Sequence, residues 1–195
     1  MKKNKSLFLL ILVLPVIIQA ASFAQSENKD DQMQAYTNYM TPGPEHKMLA
    51  NMNGNWTVNT TMWMDPKSEP TTSTGTAKFE MIMGGRYQLS NFKGTFMNMP
   101  FEGMNIMGYD NGKKMYFSSW YDNMGTGIMY AEGTFDDATK TFNLTGKFYE
   151  PSMNKDMDFR EAIKIVDDNN VTLEMYVTKD GKEMKVMEDK YMKKM

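Results

Sequence analysis

The sequence contains no cysteine, which excludes disulfides, thiolate metal ligands and thiol nucleophiles from any account of this protein. Histidine is almost as scarce, because His46 is the only one among 195 residues. A zinc or iron site built from several histidines is therefore excluded as well. We predict no metal site and no cofactor.

Long apolar runs are absent after the first two dozen residues. At the N-terminus, three lysines precede an apolar stretch of about 13 residues, which is shorter than the ~20 that span a bilayer. Ser22 and Ala24 then stand at the −3 and −1 positions of a cleavage site before Gln25. We predict a signal peptide over residues 1–24 and export to the periplasm or the medium. An uncleaved membrane anchor is the less favoured alternative.

Basic charge is also limited. Loss of three lysines with the signal peptide leaves 19 basic against 24 acidic residues, a net charge of −5. Such a chain, without basic clusters, is a poor binder of nucleic acid. We predict no nucleic-acid partner and no stable membrane insertion after cleavage, and the partner we consider is a small apolar or carboxylate-bearing ligand.

Two different patterns precede the main body of the sequence. Residues 25–41 are polar and lack strong periodicity, which predicts a flexible leader. Residues 45–53 carry apolar side chains at helical spacing, between a Pro-Gly-Pro motif and Gly54. Proline at the start and glycine after the end are typical of a short helix.

From Asn55 onward the apolar period is two residues, and turn residues recur every 8–14 positions. About ten strands follow, and their short connections favour antiparallel pairing of neighbours. Closure into a barrel is the main way for such a meander to hide its edges. We predict one all-β domain over residues 42–195, a ten-stranded up-and-down barrel with the short helix plugging one end. A sandwich, which needs longer crossover loops, is the alternative.

Several motifs resemble the bacterial domain of unknown function 1579 family. They are Pro42-Gly43-Pro44-Glu45-His46-Lys47-Met48-Leu49, Gly54-Asn55-Trp56, Met62-Trp63-Met64-Asp65-Pro66, Gly84-Gly85-Arg86-Tyr87 and Met99-Pro100-Phe101-Glu102-Gly103. The resemblance covers residues 42–193 and implies a lipocalin-like (calycin) barrel, but no agreed activity or catalytic residues. Related haem-binding barrels carry a late histidine ligand, and this chain has none after His46.

The interior of the barrel is the first candidate site. A ten-stranded barrel is wide enough to leave room for a small apolar molecule. Tight mutual packing of the interior side chains is the alternative. The predicted apolar lining is Trp56, Val58, Phe79, Met81, Phe117, Ile128, Phe142, Leu144, Leu173 and Met175.

Arg86 and Arg160, the only arginines, suggest a contact to a carboxylate on that molecule. A structural ion pair, for instance between Arg160 and an acid on a neighbouring strand, is the favoured alternative. Tyr130 is a further lumen candidate, and an enzyme would use these arginines with Tyr109 and Tyr130 at one barrel mouth. His46 has no evident catalytic partner, and we expect it to cap or hydrogen-bond a loop.

Methionine is unusually abundant, with 23 residues. Closely spaced pairs resemble thioether sites for Cu(I), although most lie on the alternating pattern and are better explained as core. The pairs are Met97 and Met99, Met104 and Met107, Met153 and Met157, and Met184 and Met187.

The leading hypothesis is an exported barrel that carries or senses an apolar or amphiphilic ligand in its lumen. An enzyme with polar lumen residues, or a structural or interaction protein of the cell envelope, is the alternative.

Overall fold

A computed structural model describes residues 29–64 and 68–194. The predicted signal peptide therefore lies outside the described residues. Contacts divide the chain into two units, Met1–Thr41 and Pro42–Met195. Within the parts described, no helix has both the length and the apolar character needed to cross a membrane.

The first unit contains a helix, α1, over residues 29–40, where the sequence analysis expected a flexible leader. Every residue of α1 is exposed. Side chains one turn apart support it, since Gln34 Nε2 donates to Asn38 Oδ1 at 2.8 Å and Thr37 Oγ1 donates to the Met33 carbonyl at 2.8 Å. Met33, Tyr36 and Met40 of α1 recur at helical spacing but are exposed, and this short pattern among polar residues was not recognised as a helix.

The second unit is a closed ten-stranded antiparallel barrel with one short helix, α2, and the predicted fold class is confirmed. The first and last strands pair from Trp56↔Lys193 to Met62↔Met187, which leaves no open edge and excludes the sandwich. The elements are α2 (Pro44–Asn51), β1 (Gly54–Met62), β2 (Thr71–Ile82), β3 (Tyr87–Phe96), β4 (Met99–Asp110), β5 (Met115–Asp122), β6 (Met129–Asp136), β7 (Thr141–Glu150), β8 (Lys155–Asp167), β9 (Asn170–Lys179) and β10 (Lys182–Lys193).

Helix α2 covers the end of the barrel at which β1 begins, which we call the closed end. It contacts β2, β3 and β4, and Leu49 on it is completely buried. The barrel satisfies carbonyls at the end of the helix, since Gln88 Nε2 donates to Leu49 O and Trp56 Nε1 donates at 3.0 Å to the carbonyl of Met52, the residue after the helix. The predicted helix is thus present and is fixed to the barrel by burial and by hydrogen bonds.

The core fills the closed half of the barrel. Its largest fully buried side chains come from β1, β7 and α2, and aromatic contacts extend it, such as Tyr116 to Phe142 with centroids 4.8 Å apart. Strand alternation sends every second side chain inward, so consecutive strands contribute to the same core. The opposite end, where β1 ends and β2 begins, is called the open end below.

Candidate functional site

A cavity of about 280 Å³ lies inside the barrel towards the open end. Most of its wall is apolar, and five methionines contribute to it. The lining residues are Thr60, Met62, Ser73, Phe92, Thr95, Phe96, Phe101, Trp120, Asp122, Met124, Met129, Glu161, Leu173, Met175, Met187, Asp189 and Tyr191.

One side of the cavity is aromatic. Phe101 of β4 stacks on Trp120 of β5 with centroids 6.2 Å apart, and Phe92 and Phe96 of β3 lie against Phe101 at 5.7 and 6.1 Å. These strands pair in sequence order, so their inward positions form a continuous row. The other side carries thioether side chains, which are flexible and polarisable. Together they form a mostly apolar and deformable wall.

An acidic side chain, Glu161 of β8, interrupts this apolar wall. It is only 9 % exposed, and its Oε2 atom has no hydrogen-bond partner in the described structure. Burial raises the pKa of this carboxyl to about 7, and a hydrogen bond from Ser118 offsets part of the effect. Burial raises it because a charged carboxylate loses more hydration than its neutral acid. Glu161 is therefore able to gain or lose a proton close to neutral pH.

A second acid, Asp189 of β10, is 7 % exposed and is held by two hydroxyl groups. Thr60 Oγ1 donates to Asp189 Oδ1 at 2.5 Å, and the Tyr191 hydroxyl donates to Oδ2 at 3.2 Å. Burial raises the pKa of Asp189, and the two hydrogen bonds oppose that rise. The pKa of Tyr191 is also raised, first by burial and then by the charges of Asp189 and Glu161.

The acids lie at the boundary between the cavity and the core. The ring of Tyr191 contacts Trp56 and Phe79, whose centroids are 6.5 and 5.6 Å away, while the same residue lines the cavity. A third acid, Asp122, accepts the indole N–H of Trp120 at 2.7 Å at the end of β5. All ionisable residues lining the described cavity are thus acidic, and none is Lys, Arg or His.

Eight of the predicted lumen residues point into the barrel, but only Leu173 and Met175 of β9 line the cavity. The others belong to the core, which fills the closed half. They are Trp56, Val58, Phe79, Met81 and Phe142, and Leu144 lies with them.

Phe117, Ile128 and Tyr130 do not lie in the lumen, and their prediction is wrong. In β5 the inward residues are Tyr116, Ser118 and Trp120, so Phe117 between them faces outward, where its ring stacks on that of Tyr130 at 6.4 Å. Ile128 is 48 % exposed and precedes β6, and Tyr130 is 41 % exposed. Both faces of β5 and β6 carry large apolar side chains, so a period of two could not identify the inner face.

The two arginines are also outside the lumen. Arg160 Nε and Nη2 donate to Glu183 Oε1 and Oε2, both at 2.9 Å, and the guanidinium lies 4.1 Å from the Tyr176 ring centroid. The favoured ion pair is therefore present, although its partner comes from β10, with β9 between them. Arg86 lies in the exposed turn between β2 and β3 and donates to the Met83 carbonyl at 3.1 Å. Neither arginine reaches the cavity.

The proposed enzyme residues do not converge. Tyr109 packs at the closed end against Tyr116 and lies 6.0 Å from the ring of His46. Tyr130 and the two arginines lie on the outer surface, as described above. His46 is 5 % exposed, and its Nδ1 accepts the backbone N–H of Gly43 at 3.0 Å, which confirms the expected capping role. Burial is the main cause of its lowered pKa.

Two of the four closely spaced methionine pairs are separated by the strand geometry. Met104 is partly exposed whereas Met107 is buried, because residues three apart in a strand lie on opposite faces. Met153 is 44 % exposed in a turn, and Met157 is buried. Among the residues described, no cluster of three His or acidic side chains has metal-binding geometry.

Sequence analysis missed the acids of the cavity. Glu161 stands between Phe159 and Ile163 at inward positions of β8, and Asp189 stands between Met187 and Tyr191 in β10. The sequence did contain a signal for them, because each acid stands at a position where the strand alternation otherwise places apolar residues. A carboxylate ligand was the expectation, and it favoured basic residues as its partners.

Comparison with known proteins agrees with this architecture. A family model described as "Protein of unknown function (DUF1579)" matches residues 41–193. A search of the curated proteins gave no match. The crystal structure of Rv2717c from M. tuberculosis is similar with a TM-score of 0.57 at 10% identity, over 80% of this chain and 100% of that chain. At that identity the similarity shows the fold alone.

Proposed function

This chain belongs to the DUF1579 family of proteins of unknown function, and from its cavity we propose a role in binding. The protein is exported and binds a small, mainly apolar molecule in the open end of its barrel. The single observation that carries the proposal is the cavity of about 280 Å³ with a methionine and aromatic wall. Ligand pockets commonly measure about 300–1,000 Å³ and are mostly apolar with a few polar groups.

The size of the cavity restricts the guest to a small molecule. Its volume is near the lower limit of the common range, so a single ring system or a short alkyl chain is a suitable size. The negative charges of Glu161, Asp189 and Asp122 would repel a carboxylate group on the ligand. A carboxylate-bearing ligand, one of the expectations from the sequence, is therefore disfavoured. Export rests on the signal-peptide pattern of residues 1–24.

The experiment is a titration with the neutral apolar dye N-phenyl-1-naphthylamine, whose fluorescence rises in apolar surroundings. The wild-type protein is compared with Met187→Trp, which fills the cavity, and with Met192→Trp on the same strand. Met187 lines the cavity, whereas Met192 is 41 % exposed on the outside. Thermal melts show that each variant is folded.

We expect saturable binding by the wild type and by Met192→Trp, and affinity at least about tenfold lower for Met187→Trp, because the added ring occupies the volume of the guest. Absence of saturable binding by the wild type would contradict the proposal. Equal affinities of the two tryptophan variants would place the dye elsewhere and would contradict it too.

A further inference from the structure

The acids of the cavity present more hydrogen-bond acceptors than the protein supplies with donors. Glu161 Oε2 is buried and has no partner in the described residues, although it lines the cavity. A buried polar atom without a partner is costly, and folded proteins contain few of them. An unpaired acceptor of this kind is satisfied when a bound molecule brings a donor to it.

The charges around Glu161 have one sign. Asp189 and Tyr191 face the cavity from β10, and Asp122 faces it from β5, while the strands on either side of Glu161 present Leu144 and Met175. Arg160, next in sequence to Glu161, is turned outward and is paired with Glu183. No positive side chain in the described lining compensates these acids.

We propose that the cavity selects a small amphiphile with a protonated amine, whose ammonium group donates hydrogen bonds to Glu161 and Asp189 while its alkyl part contacts the methionine and aromatic wall. This inference rests on the proposed function and specifies the ligand class of the same site. An ammonium group offers three N–H donors and a positive charge, and hydrogen bonds between charged groups are the strong ones. An alcohol offers one donor without charge, and a carboxylate is repelled.

Three probes with the same alkyl tail and different head groups measure how much the head group contributes to affinity. Octylammonium, octanol and octanoate are titrated at pH 8 against the full mature chain loaded with N-phenyl-1-naphthylamine, and displacement of the dye is measured. We expect octylammonium to bind at least about tenfold more tightly than octanol, and octanoate to bind most weakly.

Two isosteric variants test whether Glu161 is responsible for the preference for octylammonium. Glu161→Gln removes the charge inside the cavity, and Glu132→Gln removes a charge on the outer face of β6, where Glu132 pairs with Lys113 at 3.2 Å. We expect Glu161→Gln to weaken octylammonium by about tenfold or more and to change octanol by less than about twofold. Glu132→Gln is expected to leave both affinities unchanged.

The outcomes distinguish this inference from the proposed function. If octanol or octanoate binds as tightly as octylammonium, or if the two glutamine variants respond alike, the amine preference is wrong while the binding function stands. If none of the three probes displaces the dye, and Met187→Trp does not alter dye binding, both proposals fail.

Discussion

Glu161 shows how a single buried acid affects the stability of the fold. Its carboxyl lies in an apolar wall, and burial raises its pKa to about 7 from the ordinary value of 4.5. Between these two pH values the folded protein retains a proton that the unfolded chain releases. Stability therefore decreases as pH rises through this window, and the loss is complete above pH 7. The acid lowers stability at neutral pH, which is expected of a functional group.

The variant Glu161→Gln tests this at the residue scale. The amide cannot ionise, so the variant should be more stable than wild type at pH 8, by up to about 3 kcal/mol, and of similar stability at pH 4.5. Urea denaturation at the two pH values measures the difference.

Glu102→Gln is the matched control for this prediction, since Glu102 forms an exposed ion pair with Lys93 at 3.1 Å. Such surface pairs contribute little, so its stability should follow that of wild type at both pH values. A Glu161→Gln protein that is less stable than wild type at pH 8 would show that the charged form is stabilised in the fold.

At the scale of the elements, turns and strand number were predictable, whereas strand faces were not. Several aspartates in the turns accept hydrogen bonds from backbone N–H groups, as from Gly112 N to Asp110 Oδ1 at 2.7 Å and from Ala138 N to Asp136 Oδ1 at 2.8 Å. These contacts are local and follow from residue type. The inner face of β5 depends on its neighbours instead, because Tyr116 and Phe117 are both large and aromatic. Which of these two side chains faces inward can be decided only from the register of the whole sheet.

Gly133 of β6 is a second feature of the sheet that depends on a neighbouring strand. A Cβ atom added there would overlap the backbone oxygen of Asn143 and lie 3.0 Å from Leu144 Cα on β7. Backbone atoms cannot move aside as a side chain does, so Gly133→Ala should lose about 3 kcal/mol of stability. Chemical denaturation measures this loss.

Gly127→Ala provides the comparison, since an added Cβ there has nothing within 4 Å and the residue does not require a positive φ. Its stability should remain within about 0.5 kcal/mol of wild type. Equal stability of the two alanine variants would mean that β6 and β7 separate without cost, and the close approach of their backbones would then have no energetic role.

At the scale of the whole molecule, closure was predictable because a meander of ten strands with short connections must hide two edges. It was not predictable which part of the lumen is filled by core side chains and which part is left as a cavity. Apolar residues such as Trp56 and Leu173 have equivalent patterns in the sequence, yet the first is core and the second lines the cavity. The helix α2 makes this difference, since it covers one end of the barrel and brings Leu49 into the core. Which end a helix covers is a tertiary property.

Closure leads to a prediction about chain connectivity. Because β1 pairs with β10, Lys194 N donates to Asn55 O at 2.7 Å, and Lys194 lies beside the start of the barrel. The helix α2 is eight residues long, or about 12 Å, so a flexible linker of about eight residues should join Lys194 to Pro42. A circular permutant with new termini between Asp180 and Gly181, in the exposed turn before β10, keeps every strand pairing.

We expect this permutant to melt within a few degrees of the corresponding unpermuted domain and to bind N-phenyl-1-naphthylamine with the same affinity. A second permutant, opened between Met175 and Tyr176, interrupts β9 where it pairs with both β8 and β10, and it should be much less stable. Thermal melts and dye titrations of the two proteins provide the measurement. If both permutants are equally destabilised, the covalent order of the strands contributes to stability beyond the closed hydrogen-bonded ring. If both are as stable as the unpermuted domain, the integrity of β9 is not required to close the barrel.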